Sequence, residues 1–421
     1  MKYKLPNIFY GWWVVGACLL IAFYSGGIVF LGFTAIVEPI AHEFGWSYTQ
    51  ISFAASLRGV ELGIFAPLVG LLVNRWGPRK FAFGGAALIG LGMIFLSRIS
   101  SLWMFYVAFV IIAIGVSGLT GTVLLTAVVH WFHKRVAFVS GLVVSGFALG
   151  GLLIPLVTAL IDKYDWRIAM FILGLFVWIT ALPLSLLIRH KPEQYGYAPY
   201  GGEQVQASSC GTLPPKAGAV DSQTKVVSAK ATFWLIATSS MCYMLAVNAV
   251  VTHVMPFLTS VGMRRSTSSL VASVTPIISI SGRMGSGWLS DIVDKRKIAV
   301  LGFALMTIGL IFFVYLAYGW AWALLPFIAT FGIGWGGSIA VRTALIRERF
   351  GRTRFGTIYG FVIGIAMLGS IAGPPLTGWI FDTWGSYLWA WFILALLCLV
   401  GLVLVLLLPS SREFENERIL A

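Results

Sequence analysis

Long apolar runs separated by short polar ones set the rhythm of this chain. Stretches of twenty or more mostly apolar residues recur, as at 12–37, 104–129 and 388–408. At about 1.5 Å per residue, each is long enough to cross a hydrocarbon core of about 30 Å as an α-helix. The pattern predicts helices near 12–37, 48–73, 81–97, 103–129, 137–161, 167–188, 232–259, 267–290, 298–317, 321–346, 356–381 and 388–409. The fold class expected is therefore an all-α membrane protein of twelve transmembrane helices.

Between the sixth and seventh runs lies the one long polar stretch, 189–231, rich in Pro, Gly, Ser, Ala and Lys. It has neither helical nor strand periodicity and reads as a flexible linker. It divides the chain into a six-helix bundle at 1–188 and a second at 232–421, the latter ending in a short tail. The halves repeat each other. "GLLVNRWGPRK" at 70–80 aligns with "GWLSDIVDKRK" at 287–297, an offset of 217 that also pairs Pro39 with Pro256 and Gly45 with Gly262. Near an offset of 219, Gly141, Gly150, Pro155 and Thr158 fall on Gly360, Gly369, Pro374 and Thr377. A parallel repeat of this kind builds two-bundle transporters. Glycines every three or four residues in the fifth and eleventh helices let neighbouring backbones approach closely, and Pro155, Pro374 and Pro375 provide bending points.

Composition agrees with the pattern: 59% of the 421 residues are hydrophobic and 10% charged, too few charges for the surface of a soluble domain of this size. The net charge of +14 invites a nucleic-acid reading, but its distribution argues otherwise. With the N-terminus inside, 21 of the 29 Lys and Arg fall on the inner side, and only Arg98, Lys163, Arg167, Arg264 and Arg265 on the outer. That bias places both termini in the cytoplasm, with the lipid bilayer as partner and no nucleic acid. Cys18, Cys210, Cys242 and Cys398 show no pairing or metal spacing. His130 and His133 lack an accompanying Cys or acid, so no metal and no cofactor is expected. No removable signal peptide and no Asn-x-Ser/Thr site is read, which favours a bacterial plasma membrane.

At 70–80 the chain resembles a known signature. Gly70, Asn74, Arg75, Gly77, Arg79 and Lys80 look like the inner-loop motif of the major facilitator superfamily, with Asn74 where an aspartate is usual; the second copy keeps Asp291. Within that superfamily "YGWWVVGACLL" (10–20), "WFHKRVAFVSGLVVSGFALGGLLIP" (131–155) and "GRMGSGWLSD" (282–291) resemble the monocarboxylate porters and their bacterial relatives. The resemblance implies two rocking bundles, a small-anion substrate, a functional arginine in the eighth helix and proton coupling.

Charges inside apolar helices carry the chemistry, because each costs roughly 2.5–3.5 kcal/mol or more at mid-bilayer and persists only beside a cavity or a partner. Arg283 lies eight residues before Asp291, about 12 Å from the inner end. Its face carries Ser279, Ile280, Ser286 and Gly287 and no acid, so its guanidinium fork is a seat for one carboxylate. Pairing with an acid from another helix is the alternative. Arg58 and Glu61, at i and i+3, read as an ion pair that breaks during gating, and Glu61 is also a candidate proton carrier. His253 is suited to bind a carboxylate, carry a proton or simply pack. Arg342 is expected to reach the headgroups. Trp335 and Phe361 are the expected aromatic lining.

With Arg58 offset by Glu61, one uncompensated cation suits a monovalent anion. The predicted function is thus secondary transport of small monocarboxylates such as L-lactate or pyruvate by alternating access, as proton symport. Family relatives implied to use a lysine in helix 1 and an aspartate one turn before the helix 8 arginine are not matched here: helix 1 has no lysine, and Ser279 holds the second position. An oxalate/formate-type exchanger would carry a second cation in the eleventh helix, where 356–381 has none, and a proton-coupled drug exporter would have an acid-lined cavity. No phosphate loop, zinc-protease motif or Ser/His/Asp set supports an enzyme.

Overall fold

The computed structural model describes residues 9–60, 69, 72–73, 76–119, 121–132, 136–189, 192, 200, 223–290, 292–350 and 355–409, apart from the side chains at 58, 121–122, 136–137, 223–229, 340, 347 and 355–357. These residues are almost entirely helical. In chain order the helices are α1 (Tyr10–Phe44), α2 (Tyr48–Val60), α3 (Pro78–Leu96), α4 (Leu102–Ser117, resumed as Gly121–Trp131), α5 (Phe138–Tyr164) and α6 (Trp166–Leu187). The second half follows with α7 (Gln223–Ser260), α8 (Arg265–Leu289), α9 (Lys295–Ala317), α10 (Leu324–Phe350), α11 (Phe355–Trp384) and α12 (Leu388–Leu406).

Nine helices among the described residues are long and apolar enough to cross a membrane. The other three expected spans differ from these nine. Only Tyr48–Val60 of α2 is described as a continuous helix, and α4 breaks after Ser117 beside Gly118, whose Cα packs on Gly85. Helix α8 is long enough, but its seven serines and two threonines make it too polar. Polar positions on a buried helix are tolerated where they meet backbone or line a water-filled space. A further difference concerns the linker. Helix α7 starts at Gln223, ahead of the expected 232, and Tyr200 docks on the first bundle, its N–H bonding to the Trp131 carbonyl at 2.9 Å.

The repeat read from the sequence extends to the backbone. At the offset of 217, α2 and α8 begin at Tyr48 and Arg265, and α3 and α9 at Pro78 and Lys295. Gly45 (φ 64°) and Gly262 (φ 82°) end the first helix of each half in the left-handed region that favours glycine. Gly150 of α5 meets Gly27 of α1, where an added Cβ would stand 2.4 Å from the Gly27 nitrogen. Its repeat mate Gly369 of α11 meets Met241 of α7 just as closely, a Cβ there lying 2.1 Å from the Met241 carbonyl. The first contact is tight enough that α1 takes a π-helical turn at Ser25–Leu31 and α5 a 3-10 turn at Gly150–Leu153, just before Pro155.

The two halves meet mainly through α2 on α11, α5 on α8 and α1 on α7. Hydrogen bonds and ion pairs join the halves at mid-depth and at the end where α1 finishes and α2 begins. At the opposite end the described contacts include Lys295–Glu348 at 2.6 Å and Arg296 on the Leu406 carbonyl, both within the second half. The molecule is latched at the end where α1 finishes and α2 begins.

Candidate functional site

Helix α8 owes its position to glycine. At Gly336 of α10 an added Cβ would lie 1.8 Å from the Ser279 carbonyl and 2.9 Å from the Arg283 nitrogen; at Gly282 it would lie 2.2 Å from the Ile333 carbonyl. The backbones of α8 and α10 therefore touch at the level of Arg283, and the serines on that face serve the helices themselves. Ser279 Oγ donates to the Pro276 carbonyl at 2.6 Å, and Ser286 Oγ to those of Arg283 and Gly337, each at 3.3 Å.

Among the described residues Arg283 has no countercharge. Its Nε is buried with no hydrogen-bond partner, and no ion pair to its guanidinium exists among the described residues. Trp335, beside Gly336, faces a small space between the halves shared with Thr34, Val250, Val254, Thr275 and Pro276. Its carbonyl accepts from Tyr243 Oη at 3.0 Å, which ties α7 to this level of α10. Arg283, Trp335 and Tyr243 thus stand at one level of α8, α10 and α7, a charge beside two aromatic residues. Phe361 is 64% exposed on α11 and lies outside that packed group.

Arg342 departs from its expected place. It does not reach toward headgroups: it is 9% exposed, its Nε and Nη1 are unpartnered, and its guanidinium stands 5.5 Å from the Tyr243 ring centre. Both arginines are electrostatic neighbours of Tyr243. The count of one free cation taken from the sequence therefore becomes two among the described residues. Tyr243, on α7, carried no signal in the sequence that marked it as their neighbour.

His253 lies deeper, in the contact between halves. It is fully buried, with Nε2 2.9 Å from the Pro374 carbonyl and 3.0 Å from Ser52 Oγ, and Nδ1 3.2 Å from Tyr387 Oη. A carbonyl only accepts, so Nε2 carries the hydrogen; in the neutral ring Nδ1 then accepts from the tyrosine hydroxyl. Every polar position of the imidazole is taken, and no carboxylate reaches it while this end stays closed.

Above His253 lies a latch that sequence reasoning missed. Arg265, expected in a loop, is the first residue of α8 and bonds Asp162 of α5 at 2.7 Å and Glu38 of α1 at 3.0 Å. Asp382, in the last turn of α11, accepts from the N–H groups of Tyr48 and Thr49 at 3.0 and 2.8 Å, where the helix dipole of α2 favours an anion. The offset of 217 pairs Tyr48 with Arg265, so the start of the second helix in each half grips the end of the fifth helix in the other. That symmetry was the available signal.

Of the remaining sequence candidates, Gly77 (φ 82°) caps α3, and Arg79 and Lys80 are exposed in its first turn. Glu61, Gly70, Asn74, Arg75 and Asp291, and the side chain of Arg58, lie outside the described residues. Among the described residues no cluster of His, Cys, Asp or Glu could hold a metal.

Comparison with known proteins bears on the whole chain. The sequence model described as Major Facilitator Superfamily matches residues 15–341 and 255–420. Monocarboxylate transporter 12 of Rattus norvegicus is 24% identical over 432 residues, covering 98% of this chain and 88% of that protein. Monocarboxylate transporter 13 of Bos taurus is 25% identical over 423 residues, covering 97% and 92%. A crystal structure of a bacterial homologue of the human lysosomal transporter Spinster, inward-facing and unoccupied, superposes with a TM-score of 0.75 at 15% identity, covering 97% of this chain and 98% of the other.

Proposed function

The chain belongs to the Major Facilitator Superfamily, and on that footing we propose that it moves small monocarboxylates, of the size of L-lactate or pyruvate, across the bacterial plasma membrane by alternating access, as proton symport. The observation that carries this reading is Arg283: a cation with a buried, unpartnered Nε, held on a polar helix at a level the closed end seals from above. A guanidinium fork matches a carboxylate bidentately, and its charge selects for anions over neutral molecules.

In this reading the end opposite the latch is cytoplasmic, because most of the Lys and Arg lie there. The latch then holds the outer side shut. A carboxylate enters, meets Arg283 and lays its tail against Trp335. The return to the outward state requires Arg265 to leave Glu38 and Asp162, and α2 to leave Asp382. His253, bonded to Ser52 of the other half, loses that bond in the same motion, and only then has room to take a second proton. Proton loading is thereby tied to the outward-open state, the order a symporter needs.

The test is uptake of labelled L-lactate into proteoliposomes under an inward proton gradient, for the native protein and Arg283→Ala. Saturable native uptake that collapses in the variant and falls on dissipating the gradient supports the assignment. Folded native protein that takes up neither lactate, pyruvate nor acetate removes the substrate class and leaves the family membership standing.

A further inference from the structure

We propose that Arg342 holds a halide-sized inorganic anion inside the second bundle, at a site separate from the one assigned to the carboxylate. The cavity beside it, about 20 Å³ for a water-sized occupant, lies among α7, α9, α10 and α12. Its polar lining residues are Ser239, Ser240, Tyr243, Ser338 and Arg342; the rest are apolar. Two of the guanidinium nitrogens, Nε and Nη1, are buried and unpartnered, and no ion pair to Arg342 exists among the described residues. The nearest ion pair on α10, Glu348 with Lys295, is already closed at 2.6 Å.

A buried cation is tolerated only with a partner, and here the room is for a partner of one or a few atoms. The three serines strengthen the assignment. Ser239 and Ser240 both donate to the Ile236 carbonyl, at 3.0 and 2.7 Å, and Ser338 to that of Gly334 at 2.9 Å. Each hydroxyl can rotate from a carbonyl to an incoming anion, so the site offers O–H donors around the guanidinium fork. The aromatic face of Tyr243 closes the cation's remaining side.

An occupant would stabilise the fold whether or not the protein transports lactate, which keeps this test independent of the functional reading. The measurement is the melting midpoint of purified full-length protein as sodium gluconate is exchanged for sodium chloride or bromide at constant ionic strength. The native midpoint is expected to rise by a few degrees and saturate with either halide. Arg342→Met, which removes the charge and keeps the bulk, is expected to melt independently of halide and no lower than native in gluconate. Arg283→Met should retain the halide response. A native midpoint indifferent to both halides overturns the proposal, as does an Arg342→Met variant that still responds, or a shift given by acetate and not by bromide. Should Arg342→Met fail to fold, bromide anomalous scattering from native crystals decides directly: a peak beside the guanidinium supports the site, and its absence refutes it.

Discussion

Arg265 Nη2 donates to the carbonyl of Ala35 at 2.5 Å, and that carbonyl is free because Pro39, four residues on, has no N–H to give it. The same device recurs across the molecule. Pro375 frees the carbonyl of Ile371, which Ser56 Oγ of the other half occupies at 2.5 Å. Prolines in α1 and α11 therefore do more than bend their helices. Each uncovers an acceptor that a side chain of the opposite half satisfies.

Restoring the missing donor should weaken the latch. Pro39→Ala gives α1 an N–H that competes with Arg265 for Ala35, and Arg265→Ala removes the ion pairs with Glu38 and Asp162 as well. Both variants are expected to populate the outward-open state, Arg265→Ala more strongly. Spin labels placed at Tyr164 and Trp384, both exposed at this end on opposite halves, report it by double electron–electron resonance. Unchanged distance distributions in both would dismiss the latch.

At Arg283 the geometry of the charge matters as well as its sign. Arg283→Lys keeps the cation but loses the planar fork. The lost charge-assisted bond, worth about 1.5–3 kcal/mol, predicts a KM for lactate raised roughly 10- to 100-fold. Arg283→Ala should abolish saturable uptake. The check is initial-rate uptake across a range of lactate concentrations, and a lysine variant with native KM would argue against bidentate recognition.

His253 should separate coupling from binding. His253→Gln keeps an N–H for the Pro374 carbonyl but does not titrate. Lactate counterflow, which runs without a gradient, is expected to continue at near-native affinity, whereas gradient-driven accumulation is lost. If the variant still concentrates lactate under a proton gradient, the proton passes elsewhere.

Gly336 tests how Arg283 is positioned. A Cβ there meets the Ser279 carbonyl at 1.8 Å, with backbone on both sides, so α8 and α10 must separate. Gly336→Ala is expected to cost about 1–3 kcal/mol in stability, the usual range for overpacking, and to weaken lactate binding as well. Gly285→Ala, with no atom within 4 Å of its Cβ, is the matched control on the same pair of helices. Thermal melting and binding measured on both variants distinguish a packing contact from a general loss of glycine.

The all-helical class, the two halves and their offset were legible in the sequence because a helix that crosses lipid must satisfy its own backbone and be apolar over a fixed length. Arg283 stood out as a candidate for the same reason: a cation in an apolar run is costly enough to call for a partner or a cavity. Glycine spacing likewise announced the close approach of Gly150 and Gly369 to their neighbours. These are local properties, written along one helix at a time.

What the sequence could not order was which helices stand beside which, and in which state. Arg342 read as a headgroup-seeking side chain until Tyr243, 99 residues earlier, proved to be its neighbour. For His253 the sequence left binding, proton carriage and packing all open, and only the structure put Ser52 and Pro374 on its Nε2. Arg265 was expected in an outer loop and Asp382 drew no reading at all, yet both join the halves. Each of these roles is set by a contact between residues far apart in the chain, and a charge or hydroxyl acquires its partner only when tertiary packing has removed water from around it.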